Sequence, residues 1–262
     1  MSLSEIAVAT AGWSVPHAVR DLCCPHGSGL QKYASVLNAV EINSTFYRRH
    51  QPATFERWSD NVPASFRFAV KLPRSITHDA ALLAPRAELK AFFEDIRGLG
   101  PKQGPVLVQL PASQPFHLER VGRLFGILRE LYSGLVACEP RHAGWYDERA
   151  HRLFMEHEVA RVIADPPRPE AAREAGGSDQ LLYVRWHGSP RTYWSPYSDE
   201  RLTHLVDLVL QRGHRPTWCV FDNTASGAAL PNALRFRALF QYAREINGSR
   251  AEELGCDVVP TP

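Results

Sequence analysis

Eight short apolar runs recur about every 30 residues along this chain, and each brings a side chain able to hydrogen-bond or carry charge to its end. The runs are IAVATAGW, AVEIN, FRFAVK, VLVQL, LVACE, ARVIAD, LYVRWH and WCVFDN, and the side chains are Trp13, Asn43, Lys71, Gln109, Glu139, Asp165, His187 and Asn223. A step of that length is one strand followed by one helix, and eight such steps make a (β/α)8 TIM barrel of roughly 250 residues. The even spacing leaves no room for a second core. The 262 residues are therefore read as one α/β domain, a barrel over 1–248 with a loosely packed tail over 249–262. A barrel of this kind does its chemistry at the carboxyl ends of its strands, where the polar run ends collect.

Between the runs lie segments with helical period. In 52–62, Pro52 suits a first helical turn and Phe55 and Trp58 share a face. In 85–100, Leu89, Phe92, Phe93 and Ile96 form an apolar stripe that Gly98 and Gly100 terminate. Further helices are expected over 117–132, 146–157, 198–212 and 229–246, which completes the alternation of a parallel α/β fold. Two irregular stretches, 14–28 and 166–179, follow strands and are expected to overhang the mouth.

Composition narrows the partners. With 44% hydrophobic and 22% charged residues, neither disorder nor a membrane span is indicated. The amino terminus has no basic segment before its apolar stretch and is not read as a signal peptide. The five cysteines show no metal-binding spacing and their odd number argues against a disulfide framework, so a reducing cytoplasm is the expected location. A net charge of +2 gives no support for nucleic acid or membrane as a partner; any preference for anions must be local.

Strand alternation predicts which side chains enter the barrel, because residues two apart share a face and the helix-facing set must be apolar. Val40 and Ile42 then face helices, which turns Glu41 and Asn43 inward. The same rule turns Ala69 and Lys71, Leu107 and Gln109, Ala137, Glu139 and Arg141, and Arg185 and His187 inward. Charges of both signs converge on one cavity and must either pair or bind something charged. Lys71, Arg74, His78, Arg141, His142, Arg185 and His187 outnumber the acceptors Glu41, Glu139 and Asp165, and a surplus of cations at a mouth reads as an anion site. Aromatic residues also gather at the strand ends; Trp13, Tyr47 and Trp145 are expected to line the mouth, whereas Trp186 is expected to pack against a helix. No glycine-rich phosphate loop is present.

VEINSTFYR at 40–48, FRFAVKLPRSITH at 66–78, GPVLVQLP at 104–111 and YVRWHG at 183–188 resemble the YecE-like family, domain of unknown function 72. The resemblance covers about nine tenths of the chain and implies a TIM barrel of the bacterial or archaeal cytoplasm, with no particular activity attached. Glu41, Asn43, Lys71, His78, Gln109, Glu139, Arg141, Arg185 and His187 stand where the family pattern has them. Two stretches depart from it: Pro140 takes the place of phenylalanine in Glu139-Pro140-Arg141-His142, and the first loop reads Ser14-Val15-Pro16-His17.

Three functions fit these residues. The first is an enzyme acting on a phosphorylated, sugar-containing or nucleic-acid ligand. Glu41 or Glu139 would be its base, a near-neutral His187 would move a proton, and Lys71, Arg141 and Arg185 would hold developing negative charge. Trp13, Asn43, Tyr47, Arg74, His78, Gln109, His142, Trp145, Asp165 and Asn223 would complete the ligand site. The expected partner is a small anion, phosphate above all, bound with no cofactor and no tightly held metal. The second is a metal-dependent barrel of the endonuclease IV and xylose isomerase kind, with Glu41, His78, Glu139, Asp165, His187 and Asp222 as ligands, opposed by the repulsion of nearby cations. The third is a non-catalytic protein that binds an anion or nucleotide in the same pocket.

Overall fold

Each of the eight runs contributes one strand of a parallel ring. β1 (Ala7–Thr10), β2 (Ala39–Ile42), β3 (Arg67–Lys71), β4 (Gln103–Gln109), β5 (Val136–Glu139), β7 (Leu182–Trp186) and β8 (Thr217–Phe221) are single segments. β6 is interrupted at Val162 into Val159–Arg161 and Ile163–Asp165. The structure, a computed structural model, describes residues 6–80, 82–83, 86–212 and 215–253, with side chains as far as residue 247.

The hydrogen bonds form two ladders that meet at two seams. One ladder runs β2-β3-β4-β5 to the first half of β6, and the other runs from the second half of β6 through β7 and β8 to β1. At β6 the join is continuous, since the Val162 N–H still donates to the Cys138 carbonyl at 2.9 Å. Between β1 and β2, Ala11 bridges Glu41, and the Gly12 N–H donates to the Glu41 carbonyl at 2.8 Å. Lower on that seam the Asn38 amide stands in for strand backbone, accepting from Val8 N–H at 3.0 Å and donating to the Ile6 carbonyl at 2.8 Å. The barrel is thereby closed.

Alternation divides the core into two apolar layers. Val8, Val40, Ile42, Phe68, Val70, Val106, Val108, Cys138, Val184, Cys219 and Phe221 are buried between strands and helices. The lumen holds Ala7, Ala9, Ala39, Ala69, Ala137 and Ala160 against the larger Leu107, Tyr183 and Trp218. Small side chains on one side make room for two large rings on the other, stacked with centroids 6.1 Å apart and 4° between planes. Directly above this plug the side chains become charged.

The helices are α1 (Gly29–Ala34), the short α2 (Ser44–Tyr47), α3 (Pro52–Asp60), α4 (Arg86–Ile96), α5 (Leu118–Leu131), α6 (Glu148–Glu156), α7 (Asp199–Gln211) and α8 (Ala229–Glu253). Local chemistry sets their starts. Ser28 and Gln31 form a reciprocal capping box on α1, Pro52 opens α3, and Asp147 and Ser198 cap α6 and α7. The α4 stripe of Leu89, Phe92, Phe93 and Ile96 is buried as its spacing predicts.

The sixth unit departs from the pattern. Among the described residues no α-helix lies between β6 and β7; a 3-10 turn (Glu170–Arg173) leads to a two-residue strand (Gly176–Gly177) antiparallel to Ala160 and Arg161. So the 166–179 segment, expected over the mouth, in part runs down beside β6. Gly177 has φ +66°, and a Cβ there would stand 2.4 Å from the Val159 carbonyl, so only glycine fits. The final helix continues past residue 246 into the stretch read as a loose tail; residues 254–262, with Cys256, lie outside the described residues. Cys23, Cys24, Cys138 and Cys219 are free thiols. Among the described residues no helix is long and apolar enough to cross a membrane.

Candidate active site

Arg185 is the hub of the charged layer. It projects inward from β7 and is wholly buried, with Nε and Nη2 donating to the two oxygens of Glu41 at 3.0 and 2.8 Å. Its Nη1 donates to Glu139 at 2.6 Å and Nη2 also to Asp222 at 3.1 Å. Three carboxylates from β2, β5 and the end of β8 thus share one guanidinium. Tyr183, two residues before Arg185 and so on the same face, donates its hydroxyl to Glu41 at 2.8 Å. Burial alone would lower the Arg185 pKa, but Glu41, Glu139 and Asp222 outweigh it and keep the group charged.

His187 sits between Glu139 and Asp222. Its Nε2 is 2.9 Å from Glu139 and its Nδ1 2.9 Å from Asp222. Two carboxylate acceptors require two N–H donors, which makes the ring an imidazolium. Burial opposes that charge, yet Glu139 and then Asp222 overcome it and raise the pKa. Burial likewise works against ionised Glu139; Arg141, His187 and Arg185 prevail and hold its carboxyl well below the usual range. Asp222 is lowered in the same way, by Arg185 and His187 acting against burial.

Arg141 closes the cluster toward solvent. Its Nε donates to Glu139 at 3.0 Å and its Nη1 to the Tyr193 hydroxyl at 2.8 Å, with the guanidinium 6.0 Å from the centre of the Tyr193 ring. Tyr193 stands edge-on to His187 at 5.5 Å and has φ +66°, a costly conformation for tyrosine that the surrounding loop imposes. Glu41, Glu139 and Asp222 are matched by Arg185, His187 and Arg141. Lys71 is the cation left over. Only 9% exposed at the end of β3, its Nζ lies 4.1 Å over the Phe46 ring, and among the described residues no atom accepts a hydrogen bond from it. Burial first and Arg185 second bring its pKa down to about 8, with Glu41, Asp222 and Glu139 opposing.

Several expectations need correcting. Arg185 was expected to hold ligand, but its donors are engaged by carboxylates beneath the floor. Glu41 was expected as a base; it is fully buried with both oxygens occupied. His187 is a clamped imidazolium, not a near-neutral proton carrier. Trp145 does not line the mouth: the 3-10 turn Ala143–Trp145 tucks it wholly inside, against Phe116 and Phe154, where its indole donates to the Gln114 carbonyl. Asp165 alternates with Ala164 toward the helices and pairs with Arg201 of α7 at 2.7 Å. Asn223 is fully buried, tying the end of β8 to the Ser195 carbonyl and to Asn232.

The remaining expected residues lie outside the hydrogen-bonded cluster. Gln109 is buried and donates to the Leu110 carbonyl; Asn43 is half-buried with an unpartnered Oδ1. His78 stands edge-on to Phe46 at 4.9 Å, and burial, then Lys71, lower its pKa. Arg74 is exposed and pairs with Asp79 at 3.1 Å. His142 accepts from Gly144 N–H at 3.0 Å, and Trp13 packs half-buried against Trp58. Tyr47 is exposed on the rim of a cavity of about 480 Å³, between the segments that follow β2 and β3 and helix α4. Phe46 forms part of this cavity's wall, so the ring over Lys71 also borders the cavity. Phe46 and Tyr183 escaped the sequence reading; alternation from Arg185 would have found Tyr183, and nothing in the sequence marks Phe46.

Three proposed ligands of the metal-dependent alternative, Glu139, His187 and Asp222, spend their donor atoms on one another and on Arg185. Among the described residues no three His, Cys, Asp or Glu side chains are arranged to hold a metal ion.

Fold and site together define a (β/α)8 barrel whose strand ends carry a closed carboxylate-arginine-histidine cluster with one spare lysine. The pattern of the family described as "Protein of unknown function DUF72" matches residues 7–253, and the chain belongs to that family. The UPF0759 protein YecE of Escherichia coli K12 is 30% identical over 174 residues, which are 64% of this chain and 62% of that relative. A DUF72 family protein from Thermotoga maritima MSB8 superposes with a TM-score of 0.74 at 26% identity, covering 90% of this chain and all of that one. Another from Enterococcus faecalis V583 gives 0.78 at 22% identity, covering 90% and 96%.

Proposed function

We propose that the protein is an enzyme of the cytoplasm that acts on a small anionic ligand, bearing phosphate or carboxylate, at the carboxyl ends of the strands. The observation that carries this reading is the unmatched charge of Lys71 at the edge of an otherwise balanced, dry cluster. A cation so placed gains from an anion beside it, and an amine whose pKa is brought near 8 can gain and lose a proton at working pH. Arg141 is the second ligand-facing cation, being the one partner of Glu139 that reaches the surface. Tyr193, exposed beside His187 and bonded to Arg141, offers an aromatic ring at the mouth. The free thiols suit a reducing compartment.

Phosphate titrated into the purified protein should raise its melting temperature in a saturable way. Lys71→Met and Arg141→Ala should each remove that response while the protein stays folded by circular dichroism. An equal response in wild type and both variants, or none in any, overturns the reading.

A further inference from the structure

This chain uses arginine for nearly all its basic side chains: of 30, only Lys32, Lys71, Lys90 and Lys102 are lysine. Lys102 donates to the Ser59 and Val62 carbonyls, and Lys90 faces Glu94 at 3.8 Å on the exposed side of α4. Lys32 lies on α1, away from the strand ends. Of the four, Lys71 alone stands at the mouth, nine-tenths buried, with an aromatic ring on one side and, among the described residues, no hydrogen-bond acceptor. Arginine there would bring five N–H groups in place of three, and its guanidinium does not lose a proton in proteins. What lysine offers in its place is an amine whose lone pair can be released.

We infer that Lys71 forms an imine with an aldehyde or ketone that also carries a carboxylate or phosphate. This deepens the reading of the mouth as an active site for anions and rests on it. The chemistry balances without a co-reactant. The ammonium first releases a proton, and the freed lone pair attacks the carbonyl carbon to form a C–N bond. The carbonyl oxygen then leaves as water, carrying two of the three original nitrogen protons, and the nitrogen keeps one proton and its positive charge as the C=N bond forms. Because the charge at position 71 is the same before and after, Glu41, Glu139, Asp222 and their three partner cations need not rearrange. The ligand's own negative charge would offset the unmatched cation. Phe46 covers one side of the nitrogen and limits the water that would hydrolyse the imine. At neutral pH a lysine with the pKa of Lys71 holds on the order of a hundredfold more free amine than an ordinary one.

The full-length protein should be incubated near pH 7.5 with sodium cyanoborohydride and one of three probes: glyoxylate, glycolaldehyde phosphate or uncharged butanal. Peptide mapping by mass spectrometry then reads adducts at the four lysines. The expected result is saturable labelling of Lys71, at least an order of magnitude faster than Lys32, Lys90 or Lys102, with one or both anionic probes and not with butanal. The two anionic arms show whether carboxylate or phosphate is preferred. Lys71→Arg should remove the fast adduct, and the wild-type map needs no variant to be decisive. Labelling of Lys71 no faster than of the other three overturns the inference. If phosphate still raises the melting temperature in that case, the anion site stands and only the covalent step falls.

Discussion

Lys71 and His187 respond to pH in opposite directions. Below about pH 8 the folded protein carries a charged amine in a dry place. Between about 8 and the ordinary 10.5, the unfolded chain still binds a proton that the folded chain has released, so this group makes stability rise with pH. His187, raised by its two carboxylates, contributes fully below its unfolded value, and that contribution is lost as pH climbs through the folded one. Glu139 and Asp222, both lowered, contribute above the ordinary carboxylate range and lose their contribution as pH falls through their folded values. Lys71→Met should be more stable than wild type at pH 7 by on the order of 1–3 kcal/mol and should lack the rise above pH 8, as read by urea unfolding across pH. Alternation in AVEIN, FRFAVK and LYVRWH was enough to turn Glu41, Lys71 and Arg185 inward. It could not say which cation would be consumed, because that depends on heights and distances between strands that are far apart in sequence.

At the scale of elements, β4 shows how tightly lumen and wall are fitted. A Cβ on Gly104 would lie 2.6 Å from Trp218 Cζ2 and 3.1 Å from the Phe68 carbonyl. Trp218 cannot retreat, since Tyr183 stacks on it and also holds Glu41. Gly104→Ala should therefore cost about 1–3 kcal/mol, measurable as a lower denaturation midpoint, despite adding a single methyl group. The strands and the named helices were legible because period and caps are local properties. The sixth unit was not: 166–179, rich in proline and glycine, reads as a loop, and its return beside β6 depends on the room that Gly177 leaves against Val159. Trp145 was misplaced for a similar reason, since its burial follows from the 3-10 turn before α6, which no periodicity announces.

Across the whole molecule, the charged cluster binds one ladder of the barrel to the other. Arg185 and Asp222 belong to the β6-β7-β8-β1 side, whereas Glu41 and Glu139 belong to the β2-β5 side, so the hydrogen bonds of Arg185 span the lumen. Arg185→Met leaves buried carboxylates unpaired and should destabilise the protein by about 3–5 kcal/mol. Hydrogen exchange should also speed up at the seam amides of Gly12 and Val162; if those amides stayed as protected as the centre of the β3-β4 pair, the cluster would not be what joins the halves. Lys71 takes no part in this clasp. The barrel thus separates side chains whose exchange would dismantle the frame from one whose exchange would leave it standing. Position 71 is accordingly a place where a lineage, or a designer, can replace the reacting group and test new chemistry without first having to rebuild the protein.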